Sequence, residues 1–248
     1  DEFVVVLDQL RASEDGALSV QRIAQALAIF HQARPAKGPP IRARRSLAAC
    51  VRLCLRLTRA LSDASVVDKG AAKSIEGMLR RWQKRADALL ETHRIPPSLC
   101  HGDLRLHNVL DDKKRVVLID LEHAGLSDPA LDIALFRART PLSTNAELTF
   151  LDAYLEESFR IGSKQQSAFL ERYALARPIA LALSGLAAGV DVLDVIEGRR
   201  RTGEKIDAFV DDKRHACAED LSAAFGLTIE PAFPSPPSKE TRPSRSST

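Results

Sequence analysis

The stretch "HGDLRLHNVLDDKKRVVLID", residues 101–120, decides how the chain folds, because short strand patterns interrupt a mostly helical sequence there. Two apolar runs, "NVL" at 108–110 and "RVVLI" at 115–119, are joined by "DDKK", a turn composition, and together they predict a small antiparallel hairpin. Paired strands lie about 4.8 Å apart, so the residue entering the first strand and the residue leaving the second become neighbours at the open end. Those residues are Asn108 and Asp120. Asp103 precedes Asn108 in a loop, which lets two carboxylates and one amide oxygen converge on a single spot. Hard oxygen donors suit magnesium better than zinc. A loop acid that accepts a hydroxyl proton, followed by an amide and an acid that hold magnesium on a nucleotide, is what phosphoryl transfer requires. Singly, each of the three is an ordinary turn or capping residue; their joint order carries the reading.

Outward from the hairpin the sequence is helical. Towards the N-terminus, "FVVVLDQL" at 3–10 is a β-branched run that predicts a buried strand. Ser19 is placed to cap a helix with Val20, Ile23, Ala24, Leu27 and Phe30 on one face, ended by Pro35. A second helix starts near residue 43, with Leu47, Cys50, Val51, Cys54, Leu57 and Leu61 inward, and a third spans about 68–92 before Pro96 and Pro97. Beyond the hairpin, helical periodicity predicts elements at about 129–139, 145–160, 165–198 and 204–225. The proline- and serine-rich stretch 229–248 has too little apolar content to offset its ordering entropy and is expected to be disordered.

Composition narrows the function classes. With 45% hydrophobic and 28% charged residues the chain reads as globular, and a net charge of +3 gives no case for nucleic acid. Four cysteines, Cys50, Cys54, Cys100 and Cys217, lack zinc-type spacing and point to buried thiols in a reducing, cytoplasmic setting. The longest apolar run, 179–190, falls short of the ~20 residues a membrane span needs. His101 and His107 around Asp103 do not have the helix-borne spacing of a metal-hydrolase pair, and "GRRRTGEK" at 198–205 departs from a phosphate-binding loop in the position of its lysine and the lack of a following Ser or Thr.

At these residues the sequence resembles the aminoglycoside phosphotransferase and choline kinase group, whose members share the protein-kinase fold. "HGDLRLHN" matches the group's HGDxxxxN signature, and "LIDLEHAGLSDPALDIA" at 118–134 matches its ID…DP…D-[LI]-A segment. Arg105 stands where the group most often has histidine, and Ser127 where glycine usually precedes Asp–Pro. The resemblance implies that Asp103 is the catalytic base and that Asn108 and Asp120 bind magnesium. It further implies that Asp132 holds the catalytic loop's backbone, with His101 packed beneath as loop support.

The implied fold is α+β, a mostly helical kinase-like C-lobe with a small catalytic hairpin. The group's N-lobe, with its phosphate-covering loop and lysine, has no counterpart and is expected to be missing. Residues 1–12 then read as a hinge strand and linker, with Asp8, Gln9 and Leu10 offering backbone groups to adenine. Residues 13–228 read as the C-lobe, with the catalytic loop and metal hairpin at 98–132 and substrate-side helices at 145–225. The implied activity is transfer of the γ-phosphoryl group of ATP, with Mg2+, to the hydroxyl of a small molecule. Nucleotide and acceptor are the expected partners, without nucleic acid or membrane, and the oligomeric state stays open. At 5% aromatic residues a cage for a quaternary ammonium is disfavoured, which tilts the acceptor towards an aminoglycoside, sugar or similar alcohol. Asp191, Asp194 and Glu197 recur at near-helical spacing, as a solvated face or as an acidic patch for a polycation. A catalytically silent binding or regulatory module is the competing reading.

Overall fold

The structure, a computed structural model, describes residues 20–33, 46–92, 98–111, 115–140, 142–159, 163–197, 206–229 and 231–233. The strand at 3–10, the hinge residues Asp8, Gln9 and Leu10, the Ser19 cap, the turn 112–114, the connector 198–205 and the tail beyond 233 lie outside the described residues. Among the described residues there are seven α-helices: α1 (Val20–Gln32), α2 (Leu47–Asp63), α3 (Lys69–Thr92), α4 (Pro129–Arg139), α5 (Thr144–Ser158), α6 (Lys164–Ile196) and α7 (Ile206–Phe225). Strands β1 (Ser98–Cys100), β2 (Val109–Asp111), β3 (Val116–Leu118) and β4 (Gly125–Ser127) form two separate antiparallel pairs, β1 with β4 and β2 with β3. The β2–β3 pair is the hairpin read from the sequence; the β1–β4 pair, joining "SLC" to "GLS", was not expected.

The chain divides into two compact units. The first contains residues 1–49 and 85–180, the second 50–84 and 181–248. In the first unit α1 packs against α5, burying Ile23, Ala24, Leu27, Ala28 and His31, which recur every three or four residues on one face. Helix α4 departs from that pattern, because Pro129 to Phe136 are all buried and only its last turn reaches solvent. Its start is fixed by Asp128, which accepts a hydrogen bond from the Ala130 N–H at 3.1 Å while Pro129 supplies the first helical residue. The second carboxylate oxygen of Asp128 pairs with the buried Arg172 guanidinium of α6. Glu147 of α5 is buried likewise, accepting from Arg137 Nε and Tyr173 Oη, each at 2.9 Å, so ion pairs lace α4, α5 and the first half of α6.

In the second unit, Trp82 stacks on Phe225 with ring centroids 5.2 Å apart. A Cβ on Gly189 would meet Leu61 and Cys217 side chains at 3.0 and 3.1 Å, so glycine lets these helices approach closely. Val192, Ile196 and Val210 form a further apolar cluster with Val195, Phe209 and Phe233. The four cysteines are buried and form no disulfide. Helix α6 matches the helix expected at about 165–198 and is, by length and composition, long and apolar enough to cross a membrane, although its uninterrupted apolar run, 179–190, is shorter. Within the protein 61% of that apolar stretch is buried, and a core helix meets the same test.

Candidate active site

The hairpin register sets the site. Val109 pairs with Leu118, Leu110 with Val117 and Asp111 with Val116, and one step further the Ile119 N–H donates to the Asn108 carbonyl at 3.0 Å. Asn108 therefore sits opposite Ile119, and Asp120 follows one residue beyond. The backbone turns at Asp120, whose φ of 61° and ψ of 54° lie in the left-handed region that Asp and Asn tolerate better than other side-chain-bearing residues. The turn leaves the Asp120 side chain exposed, without a hydrogen bond to any described residue.

The loop from His101 to Asn108 is held from below. His101 is fully buried; its Nε2–H donates to the Ile119 carbonyl at 2.8 Å and its Nδ1 accepts the Asp103 N–H at 3.4 Å. These partners fix the tautomer and tie the loop to the end of β3. Gly102 has a φ of 81°, and a Cβ there would lie 2.4 Å from the His123 carbonyl oxygen, so no other residue fits without moving the loop. Asn108 is 3% exposed, and its Nδ2 donates to the Asp103 carbonyl at 3.1 Å. The amide thereby closes the loop on itself and keeps Oδ1 available as a hard donor.

Asp132 lies in the first turn of α4, directly beneath. Its Oδ2 accepts from the His101 N–H at 2.8 Å and its Oδ1 from the Gly102 N–H at 2.8 Å. His31 of α1 donates from Nε2 to Oδ2 at 3.1 Å, while its Nδ1 meets the Tyr154 hydroxyl of α5 at 2.8 Å. Burial alone would push the Asp132 carboxyl up. The hydrogen bond and charge of His31, with the backbone N–H groups of Gly102 and His101, outweigh burial and hold it below the usual carboxylate range.

A linkage prediction follows. A carboxyl whose folded-state pKa lies below its unfolded value of about 3.9 contributes its full stability above that pH and loses it as pH falls through the lower folded value. Asp132→Asn, which cannot accept both loop N–H groups, is expected to cost about 3–5 kcal/mol at pH 7. Urea melts of both proteins at pH 7 and at steps below pH 4 check this: the gap between them should close on acidification, and a constant gap would mean that the ionised carboxylate is not what ties the loop.

Asp103 is paired in a way the sequence did not signal. Its Oδ1 is held by Arg139, in the last turn of α4, and lies 3.5 Å from Arg105 Nη2. In sequence Arg139 is an ordinary basic residue near a helix C-terminus, and nothing in the spacing joins it to a residue 36 positions earlier. Asp103, Arg105 and Arg139 line a cavity of about 250 Å3, with Gly102, His123 and Ser127 on its wall.

Among the described residues His31, Cys100 and Asp132 also offer atoms within 4.8 Å of one another. Burial pushes the Cys100 thiol far up, and His31 and Asp132 already bond each other, so this triad works as a packed network rather than a metal centre. Asp191, Asp194 and Glu197 belong to the second unit.

A family model described as the phosphotransferase enzyme family matches residues 8–169. Among solved structures the chain is similar to a choline/ethanolamine kinase family protein from Mesorhizobium loti, at 20% identity and a TM-score of 0.57, covering 84% of this chain and 67% of that one. It is also similar to a choline kinase from Cryptosporidium parvum Iowa II, at 13% identity and 0.52, covering 84% and 66%. A Plasmodium vivax ethanolamine kinase is 17% identical with a TM-score of 0.51, covering 83% of this chain and 61% of that one. At these identities the likeness is one of fold, and the chain spans 61 to 67% of the length of these three proteins. No curated protein matches it by sequence.

Proposed function

Since the chain belongs to the phosphotransferase enzyme family, we propose that it transfers the γ-phosphoryl group of ATP to a hydroxyl of a small molecule. What supports this reading is the order of three groups around one end of the hairpin: Asn108, whose carbonyl pairs with Ile119 and whose amide ties the Asp103 loop, and the exposed Asp120 one residue beyond Ile119. Asp120 and the free Oδ1 of Asn108 form a hard-oxygen donor set that fits a magnesium ion. When bound, the ion would neutralise charge on the nucleotide phosphates. Asp103 accepts the acceptor's hydroxyl proton on its carboxylate and aims that oxygen for in-line attack, while Asp132 and His101 keep the loop in register.

The reading assigns the described residues to the C-lobe of a kinase-like fold and gives the adenine contact to the backbone of Asp8, Gln9 and Leu10. Buried cysteines outside any disulfide accord with a reducing, cytoplasmic location. The test uses the protein expressed from its complete gene, with ATP, magnesium and a panel of small alcohols. ADP release that requires both magnesium and an alcohol is the expected result. Failure of the nucleotide to bind and of every alcohol to stimulate ADP release would favour the silent regulatory module.

A further inference from the structure

We infer that the acceptor carries an oxyanion, a carboxylate or phosphate, seated on Arg139 and Arg105 beside Asp103. This inference rests on the phosphotransferase reading above and names the acceptor class of that same site. Among the described residues the cavity wall carries two guanidinium groups, Arg105 and Arg139, and two carboxylates, of which Asp132 is buried with both oxygens already accepting from backbone N–H groups and His31, leaving Asp103 as the carboxylate that faces the guanidiniums. Glu122, next in sequence to the lining residue His123, lies 3.3 Å from His123 Nε2 and is mostly exposed. An amine acceptor entering here would meet two like charges, whereas a guanidinium fork matches two oxygens of a carboxylate or phosphate.

Two further observations converge on the same class. Arg105 Nε is shielded from solvent and has no acceptor among the described residues, an orphan donor directly beside the reacting group. Arg139 and Arg105 both face Asp103 Oδ1, so that oxygen is turned to them rather than to a hydroxyl. An oxyanion that takes over the two guanidiniums releases Asp103 towards the hydroxyl of the same molecule. Acceptor binding and base availability are thereby coupled, and a neutral alcohol lacks the means to make the exchange.

The experiment titrates four compounds on one three-carbon scaffold, D-glycerate, glycerol 3-phosphate, glycerol and 3-amino-1,2-propanediol, into the protein expressed from its complete gene. Magnesium and a non-hydrolysable ATP analogue are present, so the nucleotide's own phosphates are already seated. One or both anions should bind, with the stronger of the two naming the oxyanion, and the neutral and amine compounds should bind more weakly by roughly tenfold or more. Arg139→Ala should erase the anion advantage without changing affinity for the analogue, and Arg139→Lys, which keeps charge but loses the fork, should fall between. Arg105→Gln, at a half-buried position on another element, should weaken anion binding independently, which guards against a folding defect at Arg139.

Equal or tighter binding of the amine, anion binding unchanged in both arginine variants, or no binding of either anion would overturn the inference. So would a loss confined to the ATP analogue, which would place these arginines on the nucleotide. Failure of the phosphotransferase reading is a separate result, seen as absence of magnesium-dependent binding of the analogue to the unaltered protein.

Discussion

Asp120→Asn is expected to remove magnesium-dependent phosphoryl transfer almost completely, by at least about 10³-fold in kcat. The choice of asparagine matters. Asp120 adopts a left-handed backbone conformation, which asparagine tolerates and alanine does not, so the substitution removes the charge while the turn after β3 survives. The side chain is exposed and bonds no described residue, and the fold should not depend on it. Asn108→Ala should weaken the magnesium requirement less per ligand lost, because an amide brings no charge, but it also frees the Asp103 carbonyl and should loosen the loop. Magnesium titrations of turnover in the protein expressed from its complete gene, paired with thermal melts, separate these effects. Wild-type titration curves in both variants would mean that the hairpin end is not the metal site.

The second large effect is expected at Asp103. Phosphoryl transfer depends mostly on positioning and charge stabilisation, and general acid–base help typically contributes about 10²–10⁴-fold. Asp103→Asn keeps the size and hydrogen-bonding reach of the side chain but cannot take a proton, so kcat should fall within that range with little change in the KM for ATP. It also releases Arg139 from its ion pair, and melting curves must show that α4 keeps its last turn. The contrast with Asp120 is diagnostic, since loss of a metal ligand disturbs nucleotide binding as well as turnover. If kcat stayed within about threefold of wild type, the proton would have to leave by another group.

The helices and the hairpin were legible because each rests on a repeating local pattern, and every helix expected from periodicity is present. The placement of Asn108 opposite Ile119, one residue before Asp120, was legible for the same reason, through strand spacing. The end of the second strand was read one residue long: the "RVVLI" run suggests a strand through Ile119, whereas β3 ends at Leu118, Ile119 adds one backbone bond to Asn108, and the backbone turns at Asp120. The β1–β4 pair was invisible, because three residues on each side are too short to declare a period. Buried charges were the main blind spot. Arg172, Glu147 and Arg139 look in sequence like any surface residue, and only their distant partners, Asp128, Arg137 and Asp103, reveal that they are held inside or beside the site. The backbone groups assigned to adenine, at Asp8 to Leu10, lie outside the described residues.

The threading of the two compact units has a consequence for biosynthesis. Residues 50–84 are made about 100 residues before the 181–248 segment that completes their unit, and they leave the ribosome, at roughly 5–20 residues per second, many seconds ahead of it. Helix α2 and the first part of α3 emerge with their apolar faces uncovered while the rest of the first unit is still being translated. A stalled or prematurely terminated nascent chain ending near residue 180 therefore exposes that surface to chaperones or to other chains, even though every residue assigned to phosphoryl transfer has already been synthesised.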